Sequence, residues 1–136
     1  LILQEIYYYW LHRWMHIPSI FRFVHKWHHE SQIASPWTAF SFHPLEGIIQ
    51  AAFLPLLLLF LPIHLYVLVF FLVIMSVSSV INHLDIEIYP TWFSKTWLGK
   101  SMIGATHHAH HHKQYKYNYG LYFTFLDKLF KTEFDK

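Results

Sequence analysis

The chain has 136 residues, 54% hydrophobic and only 13% charged, with a net charge of +2 and no cysteine. That charged share is about half the value usual in soluble domains and points to a membrane protein. The missing cysteine excludes disulfides, thiolate-bound haem and cysteine-held iron–sulfur clusters within the chain. A small, scattered positive charge excludes nucleic acid as a partner, and no nucleotide-binding glycine motif occurs.

The sequence opens on Leu1-Ile2-Leu3 without an initiator Met. It reads as the inside of an apolar helix, and a fragment lacking upstream helices is expected. Residues 1–16 form that helix, with Tyr7, Tyr8, Tyr9, Trp10 and Trp14 suited to the aromatic belt of a membrane interface. His12 and His16 are four apart and share a face. Glu5, two turns before His12, is a candidate carboxylate partner of the imidazoles. Pro18 ends or bends the helix.

Helical character resumes over residues 19–30, which contain His25, His28 and His29. Ser31 to His43 reads as an interfacial loop. His43-Pro44-Leu45-Glu46 starts the next helix, with proline tolerated in the first turn and Glu46 complementing the dipole. From Gly47 to Leu84 no Asp, Glu, Lys or Arg occurs. One helix over Ile48–Asn82 would run about 52 Å, too long for a hydrocarbon core of about 30 Å. Pro62 interrupts it, so a hairpin with limbs near 45–61 and 63–82 is expected, the first limb short and weakened by Pro55.

The hairpin has a functional consequence. An even number of crossings returns the chain to the side it left, so early and late histidines meet. Arg13, Arg22 and Lys26 before the hairpin, and Lys95, Lys100, Lys113 and Lys116 after it, put that side in the cytosol by the positive-inside rule. A buried hairpin in a soluble core is the bland alternative. Ile86 to Thr106 reads as irregular and interfacial. The block His107-His108-Ala109-His110-His111-His112 follows, and Leu121–Lys136 suits a final amphipathic helix.

The histidines fall into H-x-x-x-H (His12–His16) and two H-x-x-H-H patterns (His25–His29, His108–His112). Residues three and four apart on a helix lie on one face, so each pattern aims imidazoles at one point. Neutral imidazole suits iron, copper, zinc and nickel. Three clusters supply eight ligands, enough for two ions, and His83 at the end of the second limb is a candidate ninth. His107 is a possible further ligand and His110 the expected spectator. An internal, interrupted block followed by a long aromatic segment is not a purification tag. His64, at the hairpin tip, is expected to ligate nothing. His43, Glu46, Asp85 and Asp127 join Glu5 as groups that face substrate or orient imidazoles through the non-ligating ring nitrogen.

The expected fold is all-α: an integral-membrane helical protein with a transmembrane hairpin and a cytosolic histidine-rich helical cap holding a two-metal site. These boxes resemble those of the sterol desaturase/fatty acid hydroxylase superfamily of membrane non-haem di-iron enzymes. Ser35–Glu46 and Asn118–Thr124 are most similar to the C-5 sterol desaturases (lathosterol oxidases). Where that family often has Trp-Asp-Arg, this chain has Leu126-Asp127-Lys128.

The resemblance implies one domain over residues 1–136, truncated at its N-terminus, in a bacterial inner membrane or the endoplasmic reticulum. It implies two ferrous ions, dioxygen as co-substrate, and a sterol-like or acyl-chain lipid that is desaturated or hydroxylated. Electrons would come from an external donor, such as a cytochrome b5-like carrier, a ferredoxin or a reductase. A fatty-acyl, sphingoid or carotenoid hydroxylase of the same superfamily is one alternative; a non-catalytic metal-binding membrane protein is another.

Overall fold

The computed structural model describes residues 1–31 and 35–134. Helix α1 (Ile2–Met15) is followed by α2 (Pro18–Val24), whose first position is the proline. Proline lacks the N–H that a first helical turn leaves unpaired, so it starts a helix where it would break one further in. The expected helix over 19–30 is divided at His25 into α2 and α3 (Lys26–Glu30). The expected loop from Ser31 to His43 lies partly outside the described residues. The rest of it holds a 3-10 turn, Pro36–Phe40, closed by reciprocal hydrogen bonding between Ser35 and Thr38.

Helices α4 (Pro44–Ala51) and α5 (Phe53–Phe60) make up the first apolar limb, broken at Ala52. Pro55 has no N–H to donate to the Ala51 carbonyl four residues back, so the ladder is cut there. After a break containing Pro62, α6 runs from Leu65 to Asn82. Its 18 residues have a mean hydropathy of 2.3, and at about 1.5 Å per residue it is about 27 Å long. It is the one described helix long and apolar enough to cross a membrane. The excursion from α4 to α6 leaves the histidines at Glu46, bonded to His25, and returns at His83, beside His28.

Between Ile86 and Thr106 the expected irregular stretch contains two short helices, α7 (Thr91–Ser94) and α8 (Trp97–Ser101). Helix α9 (Ala105–Gln114) carries the histidine block and stops at Tyr115, which takes the left-handed conformation at φ 60°. The expected C-terminal helix over 121–136 is corrected to five residues, α10 (Phe125–Leu129). The N–H groups of Leu121, Tyr122 and Phe123 are bonded to the Glu5 carboxylate. They hold a bent strap there, and Phe123 pairs with Met102 in a short antiparallel bridge.

The interior is polar and the exterior greasy. Glu5, His12, His25, Glu46 and His111 are fully buried, while Leu59, Phe60, Phe70 and Tyr66 stand exposed on α5 and α6. Exposed apolar surface on this scale suits contact with lipid or with other protein. Helix α1 is tied to the apolar limbs by Gln4 Nε2, which donates to Met75 Sδ at 3.0 Å, and by Tyr7, whose hydroxyl donates to the Ile49 carbonyl at 2.6 Å.

Candidate metal centre

Nine histidines from four parts of the chain converge in two adjoining groups. One holds His12, His16, His25, His29 and His111; the other holds His28, His83, His108 and His112. In each group the potential ligand atoms lie within 4.8 Å of one another. Each H-x-x-H-H box is shared between the groups. His25 and His29, four apart, serve the first group and His28 the second, whereas His108 and His112 serve the second and His111 the first. His83 enters at the C-terminal end of α6, where its Nε2 lies 2.9 Å from that of His108.

The outward ring nitrogens decide what the inward ones can do. Nδ1 of His12, His28, His83 and His111 lies against the backbone carbonyls of Tyr119 (2.9 Å), Ser41 (3.3 Å), Ser79 (2.7 Å) and Tyr117 (2.6 Å). A carbonyl only accepts, so each Nδ1 carries the proton and each Nε2 presents a lone pair. His25 Nδ1 donates to Glu46 Oε1 at 2.7 Å. Glu46 is held in turn by Gln50 Nε2 at 2.9 Å.

The inward Nε2 atoms then face each other: His12 and His25 at 3.1 Å, His28 and His83 at 3.2 Å. Two lone pairs at that separation repel each other, and a cation shared between them would relieve that. A proton is disfavoured, because burial and then the neighbouring imidazoles push His25 and His28 well below the ordinary histidine range. The same causes lower His29, His108 and His111, and hold His16 at about 2 and His112 at about 3. Nε2 of His16 is buried with no hydrogen-bond partner among the described residues. This donor set suits two transition-metal ions bound by neutral imidazole.

The remaining sequence candidates separate clearly. Glu46 meets an imidazole. Asp127 reaches one indirectly: its oxygens accept the Tyr119 and Gly120 N–H groups, both at 2.9 Å, and fix the peptide whose carbonyl receives His12. Glu5 contacts no imidazole by hydrogen bond; it anchors the strap at Leu121 and Tyr122. Asp85 is exposed on a turn at φ 57° and bonds no histidine among the described residues. His43 caps α4 by accepting the Leu45 N–H at 3.2 Å. His107 lies outside both groups, its backbone carbonyl accepting from Asn118. His110 stacks on Phe134, with ring centroids 4.6 Å apart. His64 caps α6 in the exposed turn between the apolar limbs.

Sequence reasoning missed the four carbonyls that set the tautomers. Backbone groups leave no residue-type signal, although Ser79 lies four before His83 and was within reach of helical spacing. The resemblance implied a lipid slot of apolar and aromatic residues from the hairpin and the interfacial loops, without naming them. A cavity of about 320 Å³ ends at His28 and His83 and is walled by Tyr7, Tyr8, Phe42, Phe53, Leu72 and Met75 among others. On the other side, Tyr115 lies 4.8 Å from His29 and 5.6 Å from Phe21, ring to ring, and closes over the five-histidine group.

A family model described as fatty acid hydroxylase matches residues 1–132. The chain is 32% identical over 133 residues to lathosterol oxidase of Homo sapiens, covering 95% of this chain and 42% of that protein. It is 31% identical over 127 residues to Delta(7)-sterol 5(6)-desaturase ERG3B of Gibberella zeae, covering 93% and 38%. It is 29% identical over 138 residues to Delta(7)-sterol-C5(6)-desaturase of Nicotiana tabacum, covering 97% and 47%. The chain thus spans less than half the length of these curated relatives. No solved structure matches it.

Proposed function

The chain belongs to the fatty acid hydroxylase family, and from that premise we propose that it carries the metal centre of a dioxygen-dependent di-iron oxidoreductase acting on a membrane lipid. One observation carries the reading. Two groups of inward-facing imidazole lone pairs adjoin an apolar cavity that ends at His28 and His83. The sterol desaturase names of the relatives favour desaturation of a sterol-like lipid; hydroxylation of an acyl, sphingoid or carotenoid chain is the neighbouring outcome.

Bound iron supplies the reduction of dioxygen, with two electrons and two protons from outside, and the removal of hydrogen from an unactivated C–H bond. Desaturation releases two waters, and hydroxylation releases one. The residues that would hold the iron are His12, His16, His25, His29 and His111 in one group and His28, His83, His108 and His112 in the other. The carbonyls of Tyr119, Ser41, Ser79 and Tyr117, together with Glu46, keep the ring protons on the outer nitrogens and the lone pairs inward. Phe21 and Tyr115 keep water from the first group. The apolar cavity places one lipid carbon beside the second.

In this reading α6 and the Pro44–Phe60 segment enter the bilayer, and the histidine cap lies on the cytosolic side with its flanking Lys and Arg residues. Electrons reach the cap from a redox donor such as a cytochrome b5-like carrier, a ferredoxin or a reductase. The test is to express the full polypeptide in cells and analyse their lipids by mass spectrometry. Products lacking two hydrogens or gaining one oxygen, absent with His28→Ala, are expected. Iron-loaded protein that consumes no dioxygen with a reductant and lipid extract would leave metal binding alone.

A further inference from the structure

The cavity beside the histidines adjoins a second space. Phe53 and Leu54 are among the side chains that wall the first. The same two side chains wall another space, of about 390 Å³, between the start of α1, α5 and α6. Every side chain lining that space is aliphatic or aromatic. A water there would find no side-chain hydrogen-bond partner, so the natural occupant is hydrocarbon.

The outer space is a groove open at its side. Leu58, Leu61 and Val67 on its rim are 41%, 44% and 57% exposed, whereas Phe53 is 8% exposed. The Phe53 ring is held between Tyr7, at 5.4 Å, and Phe71, at 6.3 Å. Phe53 opens α5 at the Ala52 break, and its side chain lines both spaces. The groove lies on the segments read above as entering the bilayer.

We propose that the groove is a lateral portal admitting one alkyl chain of a bilayer lipid, and that Phe53 is the constriction that determines how far the chain passes towards His28 and His83. The portal rests on the lipid-oxidation reading for its purpose, but the passage itself is measurable without turnover. A bulkier ring at residue 53 closes the junction, and a smaller side chain opens it. Phe53 thereby selects among lipids by the length or girth of the part that must pass it.

The experiment uses the full polypeptide in phosphatidylcholine vesicles doped with a diazirine-tailed fatty acid, with labelled peptides mapped by mass spectrometry. Wild type is expected to label both at the groove (Leu57, Leu68) and in the inner cavity (Leu72, Met75). Phe53→Trp reduces inner labelling by about tenfold or more, within the range expected for a hydrocarbon group that no longer fits. Groove labelling stays unchanged. Phe53→Ala raises inner labelling, and Leu57→Trp lowers it by filling the groove, which gives a second route should the first variant fold poorly. Inner labelling indifferent to both tryptophans overturns the proposal, as does a groove that stays unlabelled because other protein covers it. Labelling as expected in a wild type that never oxidises lipid sinks the proposed function and leaves the portal standing.

Discussion

The Nδ1 atom of His25 and the Oε1 atom of Glu46 are 2.7 Å apart, and neither side chain is exposed to solvent. The pair links the break between α2 and α3 to the first turn of α4. It holds the imidazole in the tautomer that presents Nε2 to the five-histidine group. Burial pushes the Glu46 carboxyl up to about 8, so a negative charge there would accompany bound cations.

Glu46→Ala removes that acceptor and leaves Gln50 without its partner. Iron affinity is expected to fall about 10–100-fold, the usual cost of losing a group that orients a ligand. Glu46→Gln keeps an acceptor oxygen and falls less. Metal content at a series of free iron concentrations distinguishes the two. Equal affinity in wild type and Glu46→Ala would remove Glu46 from the centre.

Substitutions in the two groups remove different ions. His108→Ala or His28→Ala strips the four-histidine group and abolishes lipid oxidation; His12→Ala strips the other. His64→Ala costs only the cap of α6, about 1 kcal/mol by comparison with other helix caps, and leaves oxidation intact. Iron per chain measured alongside product separates ligand loss from misfolding. The same loss in His64→Ala would undo the assignment.

Acid should destabilise the metal-free protein. An unfolded histidine titrates near 6.5, whereas the folded protein holds His16 at about 2 and His112 at about 3. Protons therefore bind the unfolded chain first, and stability rises with pH across that window. The buried Glu5 and Glu46 carboxyls, pushed up to about 7 and about 8, act the other way, so melting midpoints are expected to peak near neutrality, decline slightly towards pH 8 and fall steadily as pH drops below about 6.5. A midpoint that climbs on acidification below about pH 6.5 would contradict the buried, neutral imidazoles.

Gly120→Ala tests the strap. A Cβ there would meet the Phe123 carbonyl oxygen at 2.6 Å and Glu5 Oε1 at 2.8 Å. The backbone contact has no flexible end to move, so overpacking costs about 1–3 kcal/mol. The Tyr119 carbonyl shifts away from His12 as the strap yields. A lowered melting temperature together with weakened binding of the ion held by His12 is expected; wild-type values for both would show the strap to be dispensable.

The histidine constellation was legible because helical spacing is a rigid ruler. The i, i+4 pairs His12/His16, His25/His29 and His108/His112 each stay together in the structure. The division of each H-x-x-H-H box was not legible. It depends on how α3 and α9 face each other, which spacing within one helix does not specify. Glu46 was legible as a carboxylate near the right end of the apolar limb, but its partner was not. Glu5 was placed by its distance from His12 along α1, yet tertiary packing turned it to the strap. Apolar periodicity at 121–134 suggested a helix, but two buried carboxylates took the backbone donors at 119–123.

Helix α3 is a single turn of five residues that supplies imidazoles to both groups. An ion held by His29 would limit the rotation of that turn and with it the aim of His28. A second ion would then meet a ligand already in place and forgo the entropy of ordering it. Occupancy should accordingly be cooperative, with empty and doubly filled chains dominating a titration and singly filled ones scarce.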